Sequence, residues 1–446
     1  MTRSSLLGPI ALCVALAACA DSGSGGPADA ARAKAADGGE VGPCTPHSEA
    51  CDGVDNDCDG ETDEGFDQDG DGVTSCGGDC DDRSASVRPG APELANGKDD
   101  DCDGKTDLHA PGVDYDQDGT PHPEDCNDEN PLVGPQAAEV AGDGTDNDCD
   151  GQVDEPSADC EGQAAGADAD SFARAMEICG EIEQASFPVG DPVSRAIRTG
   201  FGQLIRPQRG SKMIMLTTGQ ALDVFDNQAY RPQDGWDFQT SQAHPLWARP
   251  RCGPMDQIEP RAQDLSELTL RLKVPQNAKS FTFQFNFFSA EYPEFVCTEY
   301  NDRFIVILES SALDRSKLPE GNCLPGAGAA RCNISYDARG QPMTINNGFF
   351  DVCVDSAIND CTKPITDLFM TGYEVPDGDC SDPGCIAGGA TGWLTTTAPV
   401  TPGETITLRF LVLDEGDGIL DSAVLIDNFT WQATAVSAPV TETGPN

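Results

Sequence analysis

The sequence predicts a mainly β chain, with a C-terminal β-sandwich of jelly-roll type preceded by loop-rich, cross-linked repeats. Three observations predict it. Cysteine is frequent, at 20 of 446 residues. The first part of the chain returns to one aspartate-rich phrase roughly every 45 residues and offers little to bury. The second part carries branched and aromatic runs separated by Pro and Gly. A formal net charge of -50 argues against nucleic acid or anionic lipid as partner, because both would be repelled, and points to cations.

At the N-terminus, MTRSSLLGPIALCVALAACA sets Arg3 before an apolar run from Leu6 to Ala17. The run is too short to span a bilayer and suits an export signal. Its end, Leu16-Ala17-Ala18-Cys19, resembles the lipobox of bacterial lipoproteins. That resemblance implies a signal peptide over 1–18, acylation of Cys19 and attachment to a membrane through several acyl chains, with the outer membrane and a surface-exposed folded part expected. Ordinary cleavage at Ala18 or Ala20 is the plainer reading. Residues 19–43, rich in Ser, Gly, Ala and Asp, read as a flexible tether. Setting aside Cys13 and Cys19 leaves 18 cysteines, an even number that suggests disulfides in an exported chain.

Residues 44–159 hold the repeats. DNDCDGETDE from Asp55 returns as DDDCDGKTDL from Asp99 and DNDCDGQVDE from Asp146. Between them lie DQDGDG from Asp67 and DYDQDG from Asp114, each followed by a DC pair, Asp79-Cys80 and Asp125-Cys126. With 35 acidic and four basic side chains between Cys44 and Cys160, packing alone does not fold this segment. The spacing supplies another force. Carboxylates at positions 1, 3, 5 and 9 of a loop that turns at a position-6 glycine converge on one cation, as in an EF-hand. The candidate ligands are Asp55, Asp57, Asp59 and Asp63 around Gly60; Asp99, Asp101, Asp103 and Asp107 around Gly104; Asp146, Asp148, Asp150 and Asp154 around Gly151; and, in the shorter loops, Asp67, Asp69, Asp71, Asp114, Asp116 and Asp118. Two bare carboxylates about 4 Å apart repel by roughly 4 kcal/mol at an intermediate dielectric, so ion binding becomes folding energy. A solvated acidic linker is the bland alternative, but it has no reason to keep the glycine at position 6.

Position 12 of the first loop is Phe66 rather than glutamate, and no amphipathic helices flank it, so this is no EF-hand. The aspartate-rich turns are closer to thrombospondin type 3 repeats, which implies disulfide staples for Cys58, Cys102 and Cys149, with Cys51, Cys80 and Cys126 as the nearest candidate partners. CDGVDNDCDG, DCDD and RPGAPE also resemble a family of metal-binding repeats in bacterial surface proteins, named after a copper-binding methanotroph protein. The residues favour several Ca2+ ions over copper. Oxygen ligands in flexible loops suit calcium, whereas the soft ligands here amount to His47, His109, His122 and cysteines expected in disulfides.

Residues 160–436 read as one β domain and 437–446 as a disordered tail. A short helix is expected from Ser171 to Ile182 with Asp170 as its cap, followed by strands at MIMLTTG (Met213), LTLRLKVP (Leu268), SFTFQFNFFS (Ser280), DRFIVIL (Asp302), TITLRFLVLD (Thr405) and AVLIDNFTW (Ala423). FNFFSAEYPEFVCTEYNDRFIVIL, NNGFFDVC and the stretch from Gly388 to Trp431 resemble the choice-of-anchor L domain of bacterial surface proteins. That resemblance implies an extracellular domain with no established reaction.

Glu291, Asn301 and Asp302 (with Glu299) form one acidic loop and Asp414, Asp417, Asp421 and Asp427 (with Glu415) another; they are candidates for a second metal or ligand site, or simply acidic turns. Trp393, Trp431, Tyr292 and Phe295 are either core or a carbohydrate platform. Cys323 with Cys332, Cys353 with Cys361, and Cys380 with Cys385 read as loop staples, and Cys160 with Cys179 as a further pair. The sequence holds no HExxH, no GxSxG and no phosphate-binding glycine loop; His244 stands alone, and Glu291 with Glu294 is the best that carboxylate hydrolase chemistry could use. The expected protein is therefore no enzyme but a membrane-anchored surface lipoprotein with a stiff calcium-binding stalk, displaying a domain that binds an extracellular glycan or protein. Metal sequestration, of calcium or copper, is the alternative.

Overall fold

Phenylalanine at 281, 283, 285 and 287 alternates with Thr, Gln and Asn, which puts four rings on one face of an extended segment. Burying that face requires a second sheet. The computed structural model describes residues 46–444 apart from positions 136, 155–161, 163, 165, 244, 246–260, 294, 299, 354–360, 364, 375–387 and 417. The expected signal peptide, Cys19 and the tether lie outside the described residues.

The described elements run β1 (Val140–Ala141), α1 (Ala169–Ala175), β2 (Ile182–Val189), β3 (Arg195–Arg198), β4 (Met213–Thr217), β5 (Ser241–Ala243), β6 (Arg261–Lys273), β7 (Ser280–Ser289), β8 (Arg303–Ser310), β9 (Ala330–Asn333), β10 (Met343–Thr344), β11 (Gly389–Ala390), β12 (Leu394–Pro399), β13 (Thr405–Asp414), β14 (Ser422–Gln432) and β15 (Val440–Thr443). One sheet has the order β15-β12-β7-β14-β4-β3, with β1 beside β14 and β11 beside β7. The other has the order β10-β8-β13-β6-β2, with β5 beside β6 and β9 beside β8. Pairing is antiparallel except for β1 with β14.

The two sheets meet through their aromatic faces. Phe283 of β7 stands edge-on to Phe410 of β13, with centroids 5.3 Å apart, and Phe285 lies 4.8 Å from Phe304 of β8. Leu270, Val306, Leu308, Leu408, Val424 and Ile426 fill the space around them. The outer faces are also covered in part. Phe201, Met213, Met215, Phe288 and Leu425 pack outside the first sheet, and Ile305, Ile307, Leu411 and Leu413 outside the second. This explains why β8 and β13 lose strict alternation: both of their faces are buried.

Four expectations change. The helix is shorter than Ser171 to Ile182. Its cap is Asp168, whose side chain accepts from Ser171 N–H, and it ends before Glu177, whose φ of 69° cannot continue a helix; Ile182 already begins β2. The expected disordered tail contains β15, whose Val440–Thr443 pair with Leu394–Thr397 of β12. The boundary at 160 is crossed, because Val140 is fully buried in the sandwich core and pairs with Trp431. Asn277 further ties the third repeat down by donating to Asp143 at 2.6 Å. Finally, Cys51 bonds Cys76, while Cys80–Cys102 and Cys126–Cys149 join as candidate partners. Cys58 is disulfide-bonded as well. Cys323–Cys332 and Cys353–Cys361 form as expected, whereas Cys160, Cys380 and Cys385 fall outside the described residues.

Truncating Phe283 to Ala should remove about 3–5 kcal/mol of stability, read as a lower urea midpoint at unchanged m-value. A shift under about 1 kcal/mol would mean that the sheets do not meet through this ring.

Candidate metal centres

Each acidic loop is closed by its own first aspartate. Asp55, Asp67, Asp99, Asp114 and Asp146 each accept, through Oδ2, the N–H of the glycine five residues on, at 2.8–3.2 Å. The later aspartates accept through Oδ1 the N–H two residues ahead, as Asp69 does from Asp71 and Asp116 from Asp118, both at 3.1 Å. In these later aspartates the Asx-turn geometry fixes one oxygen and aims the other away from the backbone. In the three longer loops the cysteine between ligands holds a positive φ, 71° at Cys58, 59° at Cys102 and 61° at Cys149. Such backbone is uncommon for a residue with a Cβ.

Carboxylate oxygens of Asp55, Asp57 and Asp59 lie within 4.8 Å of one another, as do those of Asp67, Asp69 and Asp71. Glu49 with Asp57 and Glu64, and Glu93 with Asp99 and Asp101, form further sets at the same spacing. The position-9 carboxylates also hold backbone N–H groups. Asp63 accepts from the backbone of Asp52 and Gly53, Asp107 from Asn96 and Gly97, and Asp154 from Gly142, Asp143 and Gly144. They brace the preceding turn. Glutamates upstream also approach the loops, Glu49 and Glu93 as members of the sets above. Glu49, Glu93 and Glu139 each accept from the backbone at or beside the second ligand, at 2.6–2.9 Å.

The shorter loops are completed from outside their own sequence. Asp82 accepts from Gln68 N–H and Asp128 from Tyr115 N–H, which folds the following DCDD or DCND stretch back over each loop. Asp69, Asp79 and Asp82 each keep Oδ2 buried without a hydrogen-bond partner, and so do Asp116, Asp125 and Asp128. Asp128 is fully buried and Asp125 is 2% exposed. Burial, reinforced by Asp118 and Asp128, raises the Asp125 pKa; burial, reinforced by Asp118, Asp125 and Asp128, raises that of Asp116; and burial with Asp71 and Asp79 raises that of Asp69. The same arrangement thus occurs twice, as Asp67, Asp69, Asp71, Asp79, Asp82 and as Asp114, Asp116, Asp118, Asp125, Asp128. Buried, backbone-oriented oxygens that share no proton donor fit a hard divalent cation. The sequence reading missed Asp79, Asp82, Asp125, Asp128 and the glutamates; the signal was the D-C-x-D spacing around Cys80 and Cys126.

His109 and His122 come together, with ring centroids 5.4 Å apart. The described repeat cysteines are disulfide-bonded, so no thiolate joins them.

In the sandwich the structure gathers Glu291, Asp302 and Asp414 between the sheets and leaves others apart. Asp302 accepts from Ser422 Oγ at 2.6 Å and Glu415 N–H at 3.2 Å, while its own N–H donates to Glu291 Oε2 at 3.2 Å. Arg303 is wholly buried and clasps Glu415 through two nitrogens, at 2.8 and 2.9 Å. Asp421 adjoins this group; its Oδ1 accepts from Trp236 N–H, and a Cβ on Gly219 would fall 1.9 Å from its Oδ2, so only glycine fits there. Asp427 is not part of the group, because its Oδ2 accepts from the backbone of Gln208 and Arg209. Asp417, Glu294, Glu299, His244 and Trp247 lie outside the described residues. The proposed aromatic platform is dispersed: Tyr292 stacks on Phe350 and Trp431 packs edge-on to Phe429 in the core, while Trp393 lines a cleft with Lys363 and Asn286.

Residues 211–431 match the family model of the choice-of-anchor L domain. The sandwich is a choice-of-anchor L domain. Residues 47–64, 79–107 and 125–155 match a second model, described as "Putative metal-binding motif". The last two motif segments each enclose one disulfide, Cys80–Cys102 or Cys126–Cys149, and the Asp67 and Asp114 loops fall between motif segments. No curated protein matches the chain. Together the two family matches point to a surface-anchored, metal-binding protein. Among the described residues, no helix is long and apolar enough to cross a membrane.

Burial raises the Asp421 pKa to about 7, with Trp236 N–H drawing it back and Asp264 pushing it further up. A carboxyl whose folded pKa exceeds its unfolded value of about 3.9 binds its proton more tightly in the fold, so its penalty is absent below about pH 4 and complete above about pH 7. Asp421→Asn should therefore stabilise the chelator-treated protein at pH 8, by up to roughly 4 kcal/mol, and do little at pH 4. Equal shifts in the melting temperature at both pH values would contradict this.

Proposed function

We propose that the chain is a cell-envelope surface lipoprotein, lipid-anchored through Cys19 in the outer membrane, whose repeats bind several Ca2+ ions. In this reading they form a stiff stalk that displays the choice-of-anchor L domain for adhesion or for capture of an extracellular ligand such as a glycan. The observation that carries the calcium reading is the twice-built set of five aspartates, four of which in each set keep a buried oxygen outside any hydrogen bond. Five carboxylates on flexible loops suit the larger, variable shell of Ca2+ better than the strict octahedron of Mg2+, and their oxygens are poor ligands for copper. The ions join loops separated in sequence, and disulfides 22–25 residues apart hold the same segments. Support for a stalk continuous with the domain comes from β1, which roots the third repeat in the sandwich sheet.

No catalytic role is assigned. Metal sequestration as the function itself is the second reading, favoured by the number of carboxylate sets and, for copper, by the His109–His122 pair.

Chelation should expand the repeats and calcium should compact them, read by small-angle scattering of the full chain in EDTA and in millimolar Ca2+. Asp128→Ala should abolish one ion's worth of binding and raise protease cleavage between 112 and 130. Identical scattering curves and cleavage in both conditions would rule out the calcium-stiffened stalk.

A further inference from the structure

The strand ends that frame the interior of the sandwich enclose a second acidic group, independent of the repeats. Glu291 follows β7, Asp302 precedes β8, Asp414 ends β13, and Ser422 begins β14, so each sheet contributes two elements to one place. Asp302 is fully buried, and Glu291 and Asp414 are each 2% exposed. Hydrogen bonds already orient Asp302 through Ser422 and Glu415, and Glu291 through the Asp302 N–H. Asp414 differs, because neither of its oxygens has a donor in hydrogen-bond geometry. Thr218 lies beside it, and that hydroxyl donates to the Ser422 carbonyl at 3.4 Å. The adjacent Asn301 is 1% exposed, and neither its Oδ1 nor its Nδ2 has a partner. The buried cation at hand, Arg303, is bound to Glu415.

Burying a charge without a counter-charge or hydrogen bonds is strongly unfavourable, and buried polar groups in native folds find partners. Three carboxylates and an amide carbonyl in one dry place therefore need a positive species. Two protons could serve, and burial does hold both carboxyls above their usual range: Asp302 at about 7, although its bonds to Ser422 and Asp414 draw it down, and Asp414 with Asp302 pushing it further up. A proton held between Asp302 and Asp414, however, leaves the buried Asn301 carbonyl unsatisfied. A divalent ion satisfies all of them at once.

We propose that Glu291, Asp302, Asp414 and the Asn301 carbonyl form a structural Ca2+ site inside the choice-of-anchor L domain, clamping the β7–β8 and β13–β14 connections together. The ligands are all hard oxygens, as calcium requires, and three come from carboxylates. The ion would bind the native fold alone, so it would stabilise the domain by linkage.

The test uses the full chain, stripped with EDTA and dialysed to equilibrium against Ca2+ alone. Asp414→Asn and Asp302→Asn should each bind one ion fewer per chain than the unaltered protein, whereas Asp116→Asn with Asp128→Asn should lose repeat ions and keep this one. Unchanged stoichiometry in folded Asp414→Asn overturns the proposal. Should the variants fail to fold, amide exchange of the unaltered chain decides: peptides covering 301–305 and 411–423 should exchange at least tenfold more slowly in Ca2+ than in EDTA, and equal rates overturn the site. A chain that binds a single ion, lost in Asp414→Asn, would reject the repeat reading and leave this one standing.

Discussion

A carboxylate has two oxygens, and in the later aspartates of the acidic turns the backbone takes only one of them. The Asx turns of the repeats fix Oδ1 to a local N–H and leave Oδ2 pointing into a space lined by more carboxylates. Elsewhere in a protein that second oxygen would face water. Here the fold removes water from several of them, with Asp79, Asp125 and Asp128 all buried. The charge that must fill these spaces is therefore the element on which the N-terminal architecture depends, since Val87, Leu108 and Val133 are too few to form a core of usual size.

Repeats and sandwich solve the same problem by opposite means. The sandwich buries rings, and its two sheets are joined by contacts such as Phe283 with Phe410 that need no ion. The repeats bury charge and rely on cross-links, Cys80–Cys102 and Cys126–Cys149, whose bridged segments also carry the ligands. Each bridge places a D-C-x-D turn against a D-x-D-x-D-G loop, so a covalent and a coordinate constraint act on one small unit. The choice-of-anchor L domain is not wholly free of the second strategy. Its Arg303–Glu415 pair and the carboxylates around Asp302 show that charge was also admitted to the space between hydrophobic sheets.

The sequence made the sandwich legible where side chains alternate. Phe281 to Phe287, the run from Thr405 and the run from Ala423 each announce a strand, and each became one. β12 and β15 were not legible, because LTTTAP and VTET carry little apolar periodicity and are strands only through their pairing with β7 and with each other. The helix was overextended because Cys179 and Ile182 keep the helical spacing after Glu177 has turned the chain away. In the repeats, spacing along the chain revealed ligands within one loop and concealed those from the next. Asp82 and Asp128 reach their sites through backbone hydrogen bonds 13 or 14 residues away, a fold-back that no local period records. An acidic residue at a ligand's spacing can also cap a turn, and Asp63, Asp107 and Asp154 do so.

The rims of the two sheets have a bearing on crowding. At one rim of the first sheet stands β15, four residues long, and at the other β3, whose sequence RAIR sets a guanidinium at each end. The second sheet finishes in the two-residue β10 on one side. Short or cationic rims give a neighbouring copy little unpaired backbone to zip onto. Copies standing shoulder to shoulder then have little to merge through at those three rims.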